Sequence, residues 1–396
     1  MQDFRYLILG GGMAADSAAR GIRELDADGS IAIISNDVDE PYTRPALSKK
    51  LWTDPSFTED DNYLSTVTDT GAQLWLSTEV TDVDAEAKTL TTSAERFGFE
   101  KLLFVTGGTP KTIDLEAGER VVYFRSFDGY RHLREFSGRD LNVAVIGGGF
   151  IGTELAAALV QNETKTTLLF DDETLCGSVF PPDLADAFHR LYQDRGVHLV
   201  SGTTVPGGRA EGEHVALDYG DGTHEFDAVV VGLGIDPSID LAEGAGIATD
   251  DGITVDASLQ TSHPDIYAAG DVAQYPDRIL GRQRVEHVDN ATHMGAAAGR
   301  IMAGSGETYT HTPYFYTNVF DFGYQAVGTV SSELQTVEDW QKPQAEGTVY
   351  YLDDDDRVKG VLLVNLDGGL DTARTILAED WPHSRDDLVN RLPEGD

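Results

Sequence analysis

The chain opens with a short apolar run, residues 6–9, that leads directly into three glycines. A stretch that suits a helix follows to about residue 25, and a second apolar run occupies residues 31–34. Short apolar runs bounded by glycine, with a helical stretch between them, predict two buried parallel strands joined by a helix. The N-terminal segment is therefore predicted to form a βαβ unit.

The same order of elements returns in the middle of the chain. The apolar run 143–146 leads into the glycine-rich turn 147–152, and a helix is predicted from Glu154 to Val160. The next apolar run, 166–170, ends in the acidic residues 171–173. Because each copy has the strand–glycine turn–helix order of a nucleotide-binding unit, the sequence predicts two such units in one chain.

The rest of the chain is less regular. The apolar run 101–105 leads into residues 106–110, and from about residue 309 aromatic, alternating segments predict a small antiparallel sheet. The acidic run 353–356 lies between two of those strands, and we interpret it as a solvated hairpin turn and not as a metal site. The predicted fold class is α/β, with two Rossmann-like dinucleotide-binding domains and a small α+β C-terminal domain.

Composition narrows the class of protein. The 396 residues carry 29 Lys and Arg against 68 Asp and Glu, a formal net charge of −39, and one cysteine, Cys176. A single cysteine excludes an internal disulfide, a redox-active cysteine pair, thiolate zinc fingers and cysteine-ligated iron–sulfur clusters. The charge argues against nucleic-acid binding.

Two further expectations follow from the same counts. No apolar run approaches the roughly 18 residues of a membrane span, and the N-terminus has no basic region followed by an apolar signal core; we expect a cytoplasmic protein. The acids are dispersed and only 8 of the 29 basic residues are lysines. This composition is typical of proteins adapted to high internal salt, with an ordinary acidic protein as the alternative.

The second glycine motif has every contextual feature of a dinucleotide-binding fingerprint. Gly147 allows the turn, Gly149 allows the backbone to approach a pyrophosphate, and Gly152 allows the helix to pack on the strand. Asp172 follows the next strand, where an acid binds ribose hydroxyls. With Asp171 beside it and no nearby arginine in the sequence, a 2′-phosphate would be repelled, which favours NADH over NADPH.

The first motif is looser. It has Gly10 and Gly12, but Ala15 stands in place of the third glycine. Residues 35–37 end the second strand, and no acid stands clearly at the position of the ribose-binding acid. Two dinucleotides in one chain imply electron transfer between them, and FAD with a nicotinamide is the expected pair.

Five separated segments carry a resemblance to a known family over nearly the whole length: 41–52, 106–110, 266–271, 284–291 and 315–318. The chain resembles the flavoprotein disulfide reductase superfamily with two dinucleotide-binding domains, in the branch of ferredoxin, rubredoxin and putidaredoxin reductases. Its greatest similarity is to apoptosis-inducing-factor-like proteins. The implied domains are an FAD domain in two parts, 1–110 and 236–308, an NAD domain, 111–235, and a C-terminal domain, 309–396, for dimerisation or partner binding.

The resemblance implies a set of FAD contacts: Gly10, Gly12, Ala15, Asn36, Asp37, Arg44, Lys49, Val80, Thr106, Gly107, Asp271 and His287. Asp271 would bind the ribityl chain, and Lys49 would lie near flavin N5. Asn36 stands where relatives have the ribose-binding acid, so Asp37 is expected to substitute for it.

It also implies a set of NAD contacts: Gly147, Gly149, Phe150, Ile151, Gly152, Glu154, Asp172, Gly234, Glu286 and Tyr316. Glu154 would pair with Lys49, and Glu286 and His287 would line the nicotinamide site, so these four are the predicted catalytic residues. Tyr316 stands where relatives often have a tryptophan over the nicotinamide. No ligand spacing supports a metal at His287 with His293 or His311, so no metal site is predicted.

The cysteine count restricts the reactions that a member of this superfamily could catalyse. Disulfide reductases of the superfamily need a cysteine pair, and peroxidase-type relatives need a cysteine after the first βαβ unit; neither is present, and Cys176 is interpreted as a partly buried apolar residue. We therefore predict an FAD-dependent NAD(P)H oxidoreductase that passes a hydride from NADH to flavin N5 and electrons on to a ferredoxin, a rubredoxin or a small-molecule acceptor. The alternatives are an NADH dehydrogenase or oxidase using quinone or O₂, and a redox-responsive binding protein. A homodimer is left open.

Overall fold

A computed structural model describes residues 1–138 and 140–392, and the chain forms two compact units. The first unit comprises Met1–Arg44, Thr58–Thr109 and Asp236–Pro313. The second unit comprises Pro45–Phe57, Pro110–Ile235 and the chain from Tyr314 onward.

The strands follow one another along the chain as β1 Gln2–Leu9, β2 Ile31–Ile34, β3 Gln73–Trp75, β4 Val80–Asp84, β5 Thr89–Thr92, β6 Arg96–Phe104, β7 Gly108–Pro110, β8 Val121–Tyr123, β9 Asn142–Ile146, β10 Lys165–Leu169, β11 His198–Val200, β12 Gly208–Glu211, β13 His214–Tyr219, β14 Gly222–Phe226, β15 Ala228–Val231, β16 Ile235–Pro237, β17 Thr249–Asp250, β18 Gly252–Thr254, β19 Ile266–Ala268, β20 Ala273–Asp277, β21 Gly281–Arg284, β22 Tyr314–Val319, β23 Phe322–Gly328, β24 Gln335–Lys342, β25 Glu346–Leu352 and β26 Val358–Val364.

The α-helices are α1 Met13–Leu25, α2 Lys50–Thr53, α3 Thr66–Thr70, α4 Phe127–Glu135, α5 Phe150–Gln161, α6 Pro182–Asp194, α7 Asp240–Gly244, α8 Val288–Met302, α9 Leu370–Leu377 and α10 Arg385–Leu388. Short 3₁₀ turns occupy Arg44–Ser48, Asp60–Asn62 and Gly270–Val272.

The first unit is built on a sheet of order β3-β2-β1-β6-β5-β4, in which β19 also pairs with β6. Strand β1 is parallel to both neighbours, with Tyr6 opposite Ile31 and Lys101. Every residue of β2 is buried, as expected of a continuous apolar run in a parallel sheet. Helix α1 connects β1 to β2, which confirms the predicted βαβ unit.

Two helices of the first unit, α1 and α8, pack with their backbones in direct contact. A Cβ atom on Gly295 would lie 2.5 Å from the carbonyl oxygen of Ala14, and one on Gly299 would lie 2.1 Å from that of Ala18. The helices run in the same direction, because the later glycine meets the later alanine. Only glycine allows this approach, which fixes the start of α8 relative to the start of α1.

The second unit contains a parallel sheet of order β11-β10-β9-β15-β8. Val145 in the central strand β9 lies opposite Leu168 on one side and Val230 on the other. Helix α5 follows β9 but begins at Phe150, earlier than the predicted Glu154, because Gly149 is already the N-cap. The glycine turn is therefore shorter than expected, and Glu154 lies in the second turn of the helix.

Two antiparallel sheets complete the second unit: β12-β13-β14, and β22-β23-β26-β25-β24 with α9 packed on it. The second of these confirms the small antiparallel sheet predicted after residue 309. The acidic run 353–356 forms a hairpin turn between β25 and β26, as interpreted. Its first carboxylate, on Asp353, accepts the backbone N–H groups of Asp355 and Arg357.

The fold class is confirmed, with a parallel α/β sheet in each unit and an α+β C-terminal region. The four-segment division into domains remains a prediction, since the described residues form two compact units and residues 45–57 belong to the second. Among residues 1–138 and 140–392, no helix has both the length and the apolar character needed to cross a membrane.

Candidate dinucleotide-binding sites

The first glycine turn joins β1 to α1. Gly10 has a φ of +121°, and a Cβ atom there would lie 2.3 Å from the carbonyl oxygen of Val105. Gly12 is the N-cap of α1 and supplies no side-chain cap, so N–H groups of the first turn have no side-chain acceptor there. Ala15, in place of a third glycine, is fully buried. The turn thus exposes backbone N–H groups at the positive end of a helix, which is an anion-binding arrangement.

Asp271 is brought to the same helix end. The preceding Gly270 has a φ of +75°, and a Cβ atom there would lie 3.1 Å from the Cβ atom of Ala14. The half-buried Asp271 receives on its backbone carbonyl a hydrogen bond of 3.1 Å from the Arg284 guanidinium. The Gly270–Asp271 turn therefore lies against the start of α1. This is the position expected if Asp271 and the first glycine turn bind the same ligand.

A cation also lies near this turn. The Arg44 guanidinium is 5.2 Å from the centroid of the Tyr42 ring, and its Nη2 atom would be 3.9 Å from a Cβ atom on Gly12. A guanidinium at a helix N-terminus adds fixed positive charge for a phosphate.

Fewer features of a binding site are present where the adenosine of the dinucleotide is expected. Asn36 is exposed, and the carboxylate of Asp37 accepts hydrogen bonds from the Tyr42 hydroxyl, at 3.1 Å, and from the Asp39 N–H, at 3.2 Å. Asp37 is therefore half-buried and engaged within its own loop.

Two further predicted FAD contacts, Thr106 and Gly107, make hydrogen bonds within the protein, and a third, Val80, is buried. The Thr106 hydroxyl donates to the Ser238 carbonyl at 2.8 Å, and the Ser238 N–H donates to the carbonyl of Gly107, which has a φ of +61°. Val80 is buried at the start of β4. Thr106 lies beside Gly10, since its backbone nitrogen would be 3.2 Å from a Cβ atom there, whereas Val80 is part of the core.

Glu286 has a partner that the sequence did not reveal. Its Oε1 atom lies 2.5 Å from Nη1 of Arg284, which is itself 3.3 Å from an Asp251 carboxylate oxygen through Nη2. His287 is the N-cap of α8, and its carbonyl accepts the Ala291 N–H at 2.9 Å. Both residues therefore lie at the start of the helix that packs on α1.

The second glycine turn, in the second unit, gives its three glycines three different roles. A Cβ atom on Gly147, whose φ is +117°, would lie 2.5 Å from the Gly232 carbonyl oxygen. A Cβ atom on Gly152 would lie 1.8 Å from the Gly147 carbonyl oxygen, whereas one on Gly149 would meet no atom within 4 Å. The first and third glycines allow the protein to pack, and the second leaves open space at the helix N-terminus for a ligand.

Apolar side chains flank this turn. Ile151 and Leu233 are each 39% exposed. A Cβ atom on Gly232 would lie 3.3 Å from Cγ2 of Ile151, and one on Gly147 would lie 3.4 Å from Cδ2 of Leu233. Phe150 packs on Phe315, with ring centroids 5.4 Å apart. Leu233 is a candidate contact that sequence reasoning missed, although it stands directly before the predicted Gly234.

Asp172 lies on the surface beyond the end of β10. Asp171, Asp172 and Glu173 are all exposed, and the Asp172 carbonyl accepts the Gly202 N–H at 3.0 Å. The carboxylate is therefore held on an ordered turn and is accessible to a ribose.

The second unit also contains a buried ion pair. Lys49 Nζ lies 2.7 Å from Oε1 of Glu154, whose side chain is 3% exposed. The Ser48 hydroxyl donates to Oε2 at 2.5 Å, and the Thr317 hydroxyl donates to Oε1. Burial of a carboxylate is costly unless it is paired and hydrogen-bonded, and here both oxygens have partners.

Tyr316 lies beside this pair. The centroid of its ring is 5.6 Å from Lys49 Nζ, within the range of a cation–π contact, and 6.1 Å from the ring of Tyr314. Burial, with smaller effects of Tyr314 and Glu154, raises the pKa of Tyr316. The ring therefore stays neutral and presents an aromatic face next to the ammonium group.

The predicted residues thus fall into two groups. Lys49, Glu154 and Tyr316 come together in the second unit. In the first unit, Asp271 lies against the first glycine turn, and His287 lies at the start of α8. Sequence reasoning missed the hydroxyl partners of Glu154. Ser48 was adjacent to a predicted site residue, but a threonine in a C-terminal strand gave no signal.

Cys176 is buried, and burial, with a smaller effect of Asp172, raises the pKa of its thiol to about 12. Since the thiolate is the reactive form, this cysteine is inert near neutral pH. The structure supports its interpretation as an apolar residue and buries it more fully than expected.

Comparisons with known proteins agree with this geometry. The family model of pyridine nucleotide-disulphide oxidoreductases matches residues 4–295. The chain is 31% identical to the mitochondrial apoptosis-inducing factor 1 of Dictyostelium discoideum, over 95% of this chain and 79% of that protein. It is 33% identical to the ferredoxin–NAD(+) reductase component of the anthranilate 1,2-dioxygenase system of Burkholderia cepacia, over 94% of each.

A solved structure shows the same similarity. The covalent putidaredoxin reductase–putidaredoxin complex superposes with a TM-score of 0.88 at 26% identity, over 98% of this chain and 95% of that one. The chain belongs to the pyridine nucleotide-disulphide oxidoreductase family, in its ferredoxin reductase branch. The family predicted from the sequence is therefore confirmed.

Proposed function

We propose that this protein is an FAD-dependent oxidoreductase that oxidises NADH and passes the electrons to a small iron–sulfur protein of the ferredoxin or rubredoxin type. The observation that carries the proposal is the presence of two glycine-turn dinucleotide sites in one chain. A buried Lys49–Glu154 pair and the absence of a cysteine pair from the sequence refine it.

The first unit fits FAD. The open N-terminus of α1 would hold the pyrophosphate, with the Arg44 guanidinium beside Gly12 adding positive charge. Asp271 would hold ribityl hydroxyls, because its turn lies against the start of α1. Asn36, Asp37, Thr106 and Gly107 complete the proposed contacts, and Val80, which is buried in the core, would act indirectly.

The second unit fits NADH. Open space at Gly149 would admit the pyrophosphate, and Ile151 and Leu233 would cover apolar parts of the dinucleotide. Asp172 would bind the adenine-side ribose. With Asp171 and Glu173 also exposed there, the local charge opposes a 2′-phosphate, which supports a preference for NADH over NADPH.

When both cofactors are bound, NADH supplies a hydride to the flavin, which then gives electrons to the acceptor. Lys49 would place an ammonium group next to the reacting ring, where negative charge develops. Glu154 would hold that ammonium in place, and Ser48 and Thr317 would hold Glu154. Tyr316 would support the nicotinamide by stacking, and Glu286 and His287 would contribute from the start of α8.

An iron–sulfur acceptor is favoured by the relatives and by the cysteine inventory. A ferredoxin–NAD(+) reductase component and a putidaredoxin reductase are among the most similar proteins. Because Cys176 is buried with a pKa of about 12, electrons would leave without a thiol relay.

The similarity to an apoptosis-inducing factor supports a second candidate, a redox-responsive binding protein. Anaerobic stopped-flow reduction by NADH, followed by mixing with acceptors, distinguishes the two. Fast reduction with turnover that depends on a ferredoxin or rubredoxin supports the reductase. Slow reduction with a persistent long-wavelength band supports the binding protein, and turnover with quinone or O₂ alone supports the dehydrogenase or oxidase. Failure to retain flavin after reconstitution contradicts the whole proposal.

We further propose that the protein is salt-adapted, on the basis of its charge of −39 and its few lysines, and that it acts in the cytoplasm, as expected from the sequence. Repulsion among surface acids is screened by salt, so thermal stability should rise steeply up to about 2 M KCl. Stability that is independent of salt would contradict this. A homodimer is tested by light scattering in the same buffer.

A further inference from the structure

A group of three side chains in the first unit lies outside the residues assigned to either dinucleotide. Asp289 and His293 are four residues apart on α8, and His311 comes from residues 303–313, which follow that helix. One potential ligand atom from each residue lies within 4.8 Å of those of the other two. From the sequence alone these histidines were considered together with His287, but His287 is not a member of the group.

The three side chains are in direct contact. Asp289 Oδ2 is 2.5 Å from His311 Nε2. His293 Nδ1 lies 3.2 Å from Asp289 Oδ1 and 2.8 Å from the backbone carbonyl oxygen of Asp289, so a metal would replace that backbone contact or bind Nε2 instead. The two imidazole rings stack with centroids 4.0 Å apart and an interplanar angle of 13°. The carboxylate thus contacts nitrogen atoms of both rings.

The group is held by the fold and does not depend on a loose loop. Asp289 is 8% exposed in the first turn of α8. On one side of His311, the Tyr309 hydroxyl donates to the fully buried Asn290 at 2.9 Å. On its other side, the buried Thr312 donates to Asp277 at 3.2 Å. Both flanks of His311 are therefore anchored.

Two imidazoles and one carboxylate form a ligand set that suits borderline transition metals and not Mg²⁺ or Ca²⁺, which prefer oxygen ligands. Zinc–ligand distances of about 2.0–2.2 Å require ligand atoms about 3.4 Å apart in a tetrahedron. The ligand atoms of the three residues lie within 4.8 Å of one another, and the two stacked rings would have to turn so that their nitrogens converge on one ion. The His293 side chain is 54% exposed, which leaves one side open for a water ligand.

We propose that Asp289, His293 and His311 form a binding site for one divalent transition-metal ion, with Zn²⁺ the best-suited metal. Bound metal would join the first turn of α8 to the segment that carries His311. The site requires neither FAD nor NADH, so this proposal can fail without contradicting the proposed function, and the reverse.

The test is calorimetric titration of Zn²⁺ into the chelator-treated, full-length protein in about 2 M KCl, where salt suppresses weak binding to the acidic surface. We expect one ion per chain. His293→Ala and His311→Ala should each weaken binding at least about 10-fold. Thermal denaturation gives a second readout, because a ligand that binds only the folded state raises Tm. Zn²⁺ should raise the Tm of the unaltered protein by more than that of the His293→Ala variant at the same Zn²⁺ concentration.

His132 provides the matched control. It is paired with Asp128 at the same four-residue helical spacing, at 3.7 Å, and within the described residues that pair is not part of a group of three ligands. His132→Ala should bind Zn²⁺ like the unaltered protein. Equal affinity in all variants, no binding, a stoichiometry well above one, or equal affinity for Mg²⁺ would each overturn the proposal and leave the group as a hydrogen-bonded cluster only.

Discussion

Ser48 and Glu154 are 106 residues apart in the chain, yet the Ser48 hydroxyl donates a 2.5 Å hydrogen bond to Oε2 of the Glu154 carboxylate. The other carboxylate oxygen receives Lys49 and Thr317. A buried carboxylate with three such partners is rigid, and loss of the Ser48 hydroxyl would leave Oε2 without its hydrogen bond. Glu154 is therefore the residue through which the Lys49 ammonium is positioned.

Replacing Glu154 by Gln should slow reduction by NADH about 10- to 100-fold while FAD stays bound, because the ammonium of Lys49 loses its anionic partner. Anaerobic stopped-flow absorbance measures the rate, and flavin content measures retention. Glu163→Gln, at an exposed position just after α5, is the matched control and should leave the rate unchanged. An unchanged rate in Glu154→Gln would remove this residue from the active site.

Replacing Ser48 by Ala should lower the free energy of unfolding by about 1–3 kcal/mol, the usual cost of an unsatisfied buried acceptor. Ser56→Ala is a suitable control, because Ser56 donates to Asp54 at 2.6 Å but on the exposed surface, where water replaces the hydroxyl. Denaturant unfolding of both variants provides the comparison. Similar losses in the two would mean that the Glu154 site is accessible to water.

Substitutions at Gly149 and Gly152 should separate an effect on ligand binding from an effect on folding. Gly149→Ala should fold normally, since its Cβ atom meets nothing within 4 Å, but should weaken NADH binding at least about 10-fold by obstructing the pyrophosphate. Gly152→Ala should destabilise the protein, because its Cβ atom would lie 1.8 Å from the Gly147 carbonyl oxygen. Thermal unfolding and NADH titration separate the two effects. Normal NADH affinity in a folded Gly149→Ala variant would place the dinucleotide elsewhere.

The backbone framework was predictable because it depends on local patterns. Apolar runs that end in glycine predicted β1, α1 and β2 and the central strand β9, since parallel strands are buried on both faces. The start of α5 was placed too late because Phe150 and Ile151 were read as part of the glycine turn. A glycine N-cap gives no side-chain signal for where the turn ends and the helix begins.

The polar partners were predictable only where they adjoin a motif. Lys49 and Glu154 followed from the family resemblance, but Thr317 depends on how β22 packs on α5. The pairing of Glu286 with Arg284, two residues earlier, is local and was missed. The contact of Asp289 with His311, 22 residues later, arises from tertiary packing. Such contacts have no periodicity in the sequence, so sequence patterns cannot locate them.

Cys176 predicts a specific dependence of stability on alkaline pH. Its pKa is about 12 in the folded protein against 9.0 ordinarily, so below pH 9 the thiol is protonated in both the folded and unfolded states. Between pH 9 and 12 only the unfolded chain loses this proton, so stability falls as pH rises, by up to about 1.4 kcal/mol per pH unit. Cys176→Ala should lose stability less steeply in denaturant unfolding over that range, and should retain NADH-dependent turnover. Identical slopes would mean that the thiol ionises normally.

Asp172 is expected to determine the choice of nicotinamide cofactor. Replacing it by Ser should raise the KM for NADH and lower that for NADPH, because the ribose loses its acceptor and the 2′-phosphate meets one negative charge fewer. Asp172→Ser with Asp171→Arg should shift the ratio of kcat/KM values further towards NADPH, since a guanidinium pairs with phosphate. Steady-state kinetics with both cofactors measures the ratio, and Glu173→Gln serves as the control for a general loss of surface charge. If the unaltered protein already used both cofactors equally, or if Glu173→Gln shifted the ratio as much as Asp172→Ser, the ribose-binding role would belong to another residue.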